Sequence, residues 1–138
     1  MTTPQTSSHL SEDLAVRAYA AMMNTGSAAH IEPLLADDFR YASQWVFKEM
    51  VGKQAYLDYI TAKLETVQKS GHPIWAEIGY LDASHQRPCV VLADGDADNL
   101  VAVVLIKTQG SSIQRMDMCA VPSPYSVKRT GQYPGCDK

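Results

Sequence analysis

Cysteine is scarce in this sequence, and the few cysteines form no recognisable framework. Cys89, Cys119 and Cys136 include no CxxC pair, and their odd number leaves at least one of them unpaired. Cys89 and Cys119 lie in apolar runs that are typical of strands. We therefore interpret both as small buried side chains in a reducing compartment, and not as disulfide partners or metal ligands.

Metal and cofactor motifs are also absent from the sequence. The four histidines form no HxH or HxxxH pair, and there is no GxSxG, HExxH or phosphate-binding glycine loop. The segment DGDAD, residues 94–98, has the acidic rhythm of a calcium loop. However, Asn99 stands where that loop requires glycine, and Leu105 stands where it requires glutamate. We interpret the segment as a hairpin turn and predict neither a metal nor a cofactor.

The chain lacks long hydrophobic runs and an excess of positive charge. No run approaches the roughly 18 apolar residues that a membrane-spanning helix needs. The net charge of −3 and the pI near 5.7 argue against a nucleic-acid partner, which usually meets a basic surface. The polar start, MTTPQTSSHLSEDL, has no apolar core of a secretory signal. We expect a cytoplasmic protein with neither a membrane nor a nucleic-acid partner.

What the sequence does contain is enough apolar material for one domain. It has 138 residues, of which 46% are hydrophobic, and this suits a single core. We predict a disordered lead-in over residues 1–10, one domain over 11–121 and an extended tail over 122–138. The tail, VPSPYSVKRTGQYPGCDK from Val121 onward, is rich in proline and has little periodicity.

The apolar pattern predicts three helices around one strand, followed by a sheet. Ser11 is a suitable N-cap for a first helix ending at Gly26, with Leu14, Ala18, Ala21 and Met22 on one face. Residues 29–35 predict a short second helix, 38–47 a strand and 53–69 a third helix. Leu57, Ile60, Leu64 and Val67 line one face of that third helix.

Beyond residue 71 the hydrophobic period changes from that of a helix to that of a strand. Runs at 74–81, 88–93, 100–108 and 113–121 are separated by short segments rich in turn formers, which predicts an antiparallel meander. The overall class is α+β. The run LVAVVLI, residues 100–106, is apolar on both faces, so we expect helices to cover one face and a second subunit the other. That expectation makes the protein a homodimer through the sheet face.

Three segments in this order, LLADDFRY, VGKQAYLDYI and GSSIQRMDM, resemble the NTF2-like superfamily, also called SnoaL-like, which includes the ketosteroid isomerases. The resemblance covers nearly all of the span from residue 14 to residue 121. It implies a cone-shaped, cystatin-like fold: three N-terminal helices packed on a curved antiparallel sheet around a cavity. Members of the superfamily include isomerases, cyclases, hydratases, hydrolases and non-enzymatic binders, so the resemblance leaves the function open.

Comparison with the ketosteroid isomerase branch implies that two of three catalytic positions are replaced. The position of the oxyanion tyrosine falls on Tyr19, that of the general base on Ser43, and that of the oxyanion aspartate on Val103. Neither serine nor valine can act as a general base near neutral pH, so isomerisation by that mechanism is disfavoured. The acidic pair Asp37 and Asp38 recurs in the superfamily where a helix turns into a strand, and we interpret it as capping or turn-forming.

The remaining catalytic candidates are Asp117 and Tyr19. In a strand, Arg115 and Asp117 share a face and can pair, with Glu77 as a further member of the cluster. In the isomerase-like register the cavity side takes Met116 and Met118, which would place Asp117 on the opposite face. Two interpretations stay open: an acid in the cavity, or an ion pair on the sheet surface.

An aromatic face on the first strand predicts the wall of a pocket. Phe39, Tyr41, Ser43, Trp45 and Phe47 alternate along it, and one hydroxyl among apolar side chains suits a ligand cavity. The predicted ligand-binding residues are Tyr19, Tyr41, Ser43, Trp45, Tyr56, Val103, Met116 and Met118. We expect the protein to bind a small hydrophobic molecule. The alternatives are a small cyclase, isomerase or dehydratase using Asp117 or a Tyr19/Tyr41 pair, or a non-catalytic protein-interaction module.

Overall fold

The computed structural model describes residues 9–81 and 86–136. Residues 1–8 of the predicted lead-in lie outside the described residues. No helix in the described part of the chain is long and apolar enough to cross a membrane. The elements are α1 (Glu12–Thr25), β1 (Leu35–Ser43), β2 (Val46–Val51), α2 (Lys53–Ser70), β3 (Ile74–Leu81), β4 (Arg87–Asp94), β5 (Leu100–Gln109), β6 (Ser112–Cys119) and β7 (Lys128–Arg129).

The first helix has the predicted ends but a different buried face. The Ser11 side chain accepts a hydrogen bond from the backbone N–H of Leu14, and Gly26 ends the helix in the left-handed conformation. Leu14, which the sequence interpretation placed on the same face as Met22, is 57% exposed, whereas Met22 is buried. The residues that face the core are Ala15, Val16, Tyr19, Ala20, Met22 and Met23. The prediction was wrong here because a helix rich in alanine and methionine offers several apolar faces of similar strength.

The predicted second helix is replaced by two short 3₁₀ turns, at residues 28–30 and 32–34. Pro33 lies at the start of the second turn, where it removes a backbone donor and prevents continuation from the first turn. The strand β1 then begins at Leu35, so Asp37 and Asp38 lie within a strand and not in a turn. The side chain of Asp38 accepts a hydrogen bond from Gln114 Nε2 at 3.1 Å.

The predicted strand over 38–47 is a hairpin of β1 and β2, with its turn at Gln44 and Trp45. The Ser43 hydroxyl accepts a hydrogen bond from the backbone N–H of Trp45 at 3.2 Å. The Gln44 side-chain oxygen accepts the backbone N–H groups of Ala120 and Val121, at 2.7 and 2.9 Å. This turn is therefore held by two side chains, one bonded within the turn and one bonded to the backbone just after β6. It lacks the glycine or proline that usually signals a turn.

In the described part of the chain the strands form one seven-stranded sheet, in the order β2-β1-β6-β5-β4-β3-β7. The meander from β3 to β6 is antiparallel, as predicted. The sheet is not purely antiparallel, however, because β1 pairs with β6 in parallel. Parallel neighbours require a long crossover, and here that connection includes β2, α2 and the meander itself.

Each face of the sheet carries an apolar cluster within one chain. The inner face packs against α1 and α2 and includes Val104 and Ile106. The far face carries a second apolar cluster, in which Cys89, Val91 and Val103 are no more than 1% exposed. Val127, from the tail, belongs to this cluster, whereas Leu105 packs against it but is only partly buried. The tail therefore covers part of the face that the sequence interpretation gave to a second subunit.

The tail packs along β3, to which it is joined by the pairing of β7 with β3 and by an ion pair. The buried Glu77 accepts hydrogen bonds from Arg129 Nε and from the Gly131 backbone N–H, each at 2.7 Å. Glu77 was predicted to join Arg115 and Asp117, but β3 and β6 are separated by two strands, and its partner is Arg129. The predicted turn at 94–98 links β4 to β5, and Asp98 also contacts Arg129, at 3.0 Å.

Candidate functional site

The candidate site is a cleft between the β1–β2 hairpin, α2 and the inner face of the sheet. Its volume is about 470 Å³, within the usual range for small-molecule pockets. Apolar side chains form most of its wall, among them Trp45, Met50, Leu92, Ala102 and Met118. The polar side chains are the hydroxyl groups of Tyr41, Ser43 and Tyr59 and the ammonium groups of Lys48 and Lys63.

A cluster of aromatic rings supports the inner end of the cleft. The ring centroids of Tyr41 and Tyr59 are 5.7 Å apart, and that of Tyr56 lies 5.3 Å from Tyr41. Phe39 contacts Tyr56 edge-on at 5.0 Å. Rings at these separations attract each other, and their few side-chain torsions are fixed by the packing. The cleft therefore has one stiff aromatic wall.

The tyrosine hydroxyls are suited to donate hydrogen bonds and not to remove protons. Burial raises the pKa of Tyr41 above its usual value, and the nearby Tyr59 adds to this effect. Burial likewise raises the pKa of Tyr19 and of Tyr56. All three are neutral phenols near pH 7. The Tyr41 hydroxyl lies 3.8 Å from the Met118 sulfur, a weak acceptor, and also interacts with the Tyr59 side chain.

Four of the predicted ligand-binding residues line the cleft: Tyr41, Ser43, Trp45 and Met118. Trp45 does so from the hairpin turn, where it is 57% exposed, and not from a continuous strand. Ser43 lines the cleft at the last residue of β1. The aromatic alternation over residues 39–43 thus located one wall, although the strand itself ends sooner than predicted.

Three other predicted residues lie in the core behind the cleft. Tyr19, Tyr56 and Met116 are each no more than 1% exposed and belong to the inner-face core. Tyr56 contributes to the cleft indirectly, because its ring supports that of Tyr41. Tyr19, a candidate acid or base in the sequence interpretation, is fully covered and does not line the cleft.

Val103 was placed on the wrong face of the sheet. It belongs to the far-face cluster, with Val91 and Cys119 as its strand neighbours. A β-bulge explains the error: Leu92 pairs with Ala102 and Ala93 with Leu100, which leaves Val101 as an extra residue in β5. Ala102, the next residue of β5, is on the inner face, and it lines the cleft beside Val101.

Asp117 lies on the far face, in an ion-pair cluster with Arg115 and Glu49. Arg115 donates two hydrogen bonds to the Asp117 carboxylate, both at 2.9 Å, and a third to Glu49 at 2.7 Å. Hydrogen bonds from Arg115 and then from Arg40 lower the pKa of Glu49. Met116, between the two charged residues of β6, points into the core. The geometry therefore favours the surface ion pair over an acid in the cleft.

Sequence reasoning missed Tyr59, Lys48 and Lys63 as lining residues. Tyr59 lies three residues after Tyr56 on α2, and Lys63 follows one turn later, so the three share neighbouring positions on the helix surface. That spacing was a usable signal, but the sequence interpretation used only the apolar face of α2. Lys48 was harder to find because the face of the sheet on which it lies depends on the hairpin, which was not predicted.

A second cleft, of about 560 Å³, lies beside the tail and is lined in part by Tyr80, Lys128 and Arg129. None of the predicted site residues, all of which are described, lines it. Among the described residues, no group of three or more histidine, cysteine, aspartate or glutamate side chains could hold a metal ion.

Comparison with solved structures shows that the chain has an NTF2-like fold. An NTF2-like protein of unknown function from Cytophaga hutchinsonii is 11% identical with a TM-score of 0.56, covering 88% of this chain and 97% of the other. An NTF2-like protein with a cystatin-like fold from Novosphingobium aromaticivorans is 13% identical with a TM-score of 0.53, covering 81% of each chain.

A third similar structure is a candidate polyketide cyclase from Sinorhizobium meliloti. It is 12% identical with a TM-score of 0.55, and the alignment covers 85% of this chain and 100% of the other. No family profile matches the sequence, and no curated protein matches it. At these identities the comparisons confirm the α+β, NTF2-like fold that the sequence motifs predicted, and the fold alone.

Proposed function

Given an NTF2-like fold with an open cleft, we propose that the protein binds a small, largely apolar molecule between the β1–β2 hairpin and α2. The cleft itself carries this proposal. It has about 470 Å³ of space, apolar walls and a few hydroxyl groups, the combination that orients a small ligand. A protein-interaction module with this fold is expected to fill its cavity with its own side chains.

Acid–base catalysis receives less support than binding. Proton transfer between carbons needs a base whose pKa lies near the working pH. Asp117 lies on the far face with Arg115, and burial raises the pKa of Tyr41 away from neutrality. The cyclase, isomerase and dehydratase alternatives would therefore require a group other than the ones we nominated.

A thermal-shift screen of steroids, terpenoids, polyketides, aromatic acids and cationic amphiphiles tests the proposal. A ligand at 100 times its Kd should stabilise the protein by about 2.7 kcal/mol, which raises Tm by several degrees. Val101→Trp, at the cleft, should abolish the shift. Val51→Trp is the matched control, because Val51 is exposed on β2 and does not line the cleft.

Two outcomes would count against binding in the cleft. A shift that survives Val101→Trp would place the ligand elsewhere. No stabilisation by any compound in the panel would favour the interaction module.

A homodimer and a cytoplasmic location are part of the same proposal. The dimer would use the part of the far face that the tail leaves open, near Leu105 and the Arg115 cluster. Three free cysteines among the described residues are in keeping with a reducing compartment. Light scattering that gives a monomer across the micromolar range would contradict the dimer.

A further inference from the structure

The charged groups of the cleft are all of one sign. Lys48, from β2, and Lys63, from α2, line it on two different elements, and the described lining includes no carboxylate. Both lysines are exposed. This local excess of positive charge occurs in a protein whose net charge is −3. A neutral ligand gives no reason for two lysines here, whereas an anionic one does.

Neither lysine is neutralised by the protein itself. Among the described residues, the salt bridges involve arginine as the cation in every case, and Lys48 and Lys63 take part in none of them. Glu49, beside Lys48 in sequence, is on the opposite face of β2 and is engaged by Arg40 and Arg115. Because side chains alternate along β2, Glu49 and Lys48 lie on opposite faces, and Lys48 is the one at the cleft.

The position of Lys63 suits an amphiphilic ligand. Its Nζ lies 6.0 Å from the ring centroid of Tyr59, which belongs to the aromatic wall. The ammonium group is therefore placed where the apolar wall meets solvent. A ligand whose apolar body lies against Tyr41 and Tyr59 would present its polar end to Lys63, and Lys48 approaches from the hairpin.

We propose that the ligand is an apolar carboxylic acid whose carboxylate binds at the cleft mouth between Lys48 and Lys63. This inference rests on the proposed function and names the chemical class of its ligand. The tyrosine and serine hydroxyls of the cleft would then donate hydrogen bonds to the carboxylate or to another oxygen of the ligand. Because both ion pairs are exposed, their contribution is modest: we expect the acid to bind about tenfold more tightly than its neutral counterpart.

Matched acid and neutral probes test this directly. Calorimetric titration at low ionic strength compares dodecanoic acid with 1-dodecanol, and 4-biphenylcarboxylic acid with its primary amide, below their aggregation concentrations. We expect each acid to bind more tightly than its partner, and the preference to shrink at high salt because exposed charges are screened. In the double variant Lys48→Met, Lys63→Met the preference should fall to about one.

Lys69→Met is the control, because Lys69 is exposed on α2 and does not line the cleft; it should keep the preference. Equal binding of acid and neutral probe to the unmodified protein would refute the carboxylic acid as the ligand class and leave the proposed apolar cleft standing. The same conclusion would follow if a compound of the thermal-shift panel bound in the cleft while neither acid bound. If the acids and the whole panel fail together, both this inference and the proposed function fail.

Discussion

Loss of the Arg129 side chain should destabilise the fold strongly, although Arg129 lies in a tail that the sequence predicted to be merely extended. Arg129 donates to Glu77, whose side chain is only 4% exposed. In Arg129→Ala, the Glu77 carboxylate keeps the Gly131 backbone N–H but loses its countercharge. Breaking a buried ion pair from one side costs about 3–5 kcal/mol.

The expected cost is smaller than that limit because the arginine side chain is 32% exposed, so water can reach the vacated space. We expect a loss of about 2–3 kcal/mol in the free energy of unfolding. At this chain length that corresponds to a fall in Tm of about 5–10 °C. Urea denaturation followed by circular dichroism should give the same loss as a lower midpoint with an unchanged m-value.

Two further variants make the experiment decisive. Lys128→Ala removes an exposed side chain from the same short strand, β7, and should change stability by about 0.5 kcal/mol or less. Adding Glu77→Gln to Arg129→Ala should recover part of the loss, since it removes the uncompensated charge. If Arg129→Ala and Lys128→Ala melt within about 1 °C of each other, the Glu77–Arg129 pair does not hold the tail.

Two other predictions concern the far face and its cover. Gly79→Ala should be destabilising because the added methyl group would collide with a methyl of Val127. In the double variant Gly79→Ala plus Val127→Ala, part of the lost free energy of unfolding should be recovered, as measured by chemical denaturation. No recovery would contradict this packing. Burial raises the pKa of Cys89 to about 12, so the neutral thiol stabilises the fold below its unfolded pKa, and this contribution is lost as pH rises. The stability advantage over Cys89→Ala should shrink above about pH 8.5, by up to about 1.4 kcal/mol per pH unit; a constant difference would refute it.

The sequence predicted the elements whose signals are local. Residues 74–81 form a strand with the predicted limits, and α2 begins at the predicted residue 53. Turn formers such as those at 94–98 separate the strands and needed no tertiary information. The aromatic alternation found Tyr41 and Ser43 for the same reason, since a period of two places them on one face whatever the rest of the chain does.

Three of the failures share a physical cause: each depended on a contact distant in sequence. The turn at Gln44 is held by the backbone of residues 120 and 121. The face of Val103 depends on a bulge in the pairing of two strands. The cover of the far face depends on Arg129 reaching Glu77. None of these leaves a pattern within its own stretch of sequence.

The parallel pairing of β1 with β6 has a consequence for how the protein is made. Tyr41 and Ser43 lie in β1, near the start of the chain, while their neighbours Met116 and Met118 lie in its last long strand. During synthesis β1 leaves the ribosome well before that partner exists, with one edge unpaired. The wall of the cleft is completed only when β6 adds to the sheet, a slow, non-local step. The cleft that we propose as a ligand site is therefore completed late, and a ligand bound there would mark chains that have finished folding.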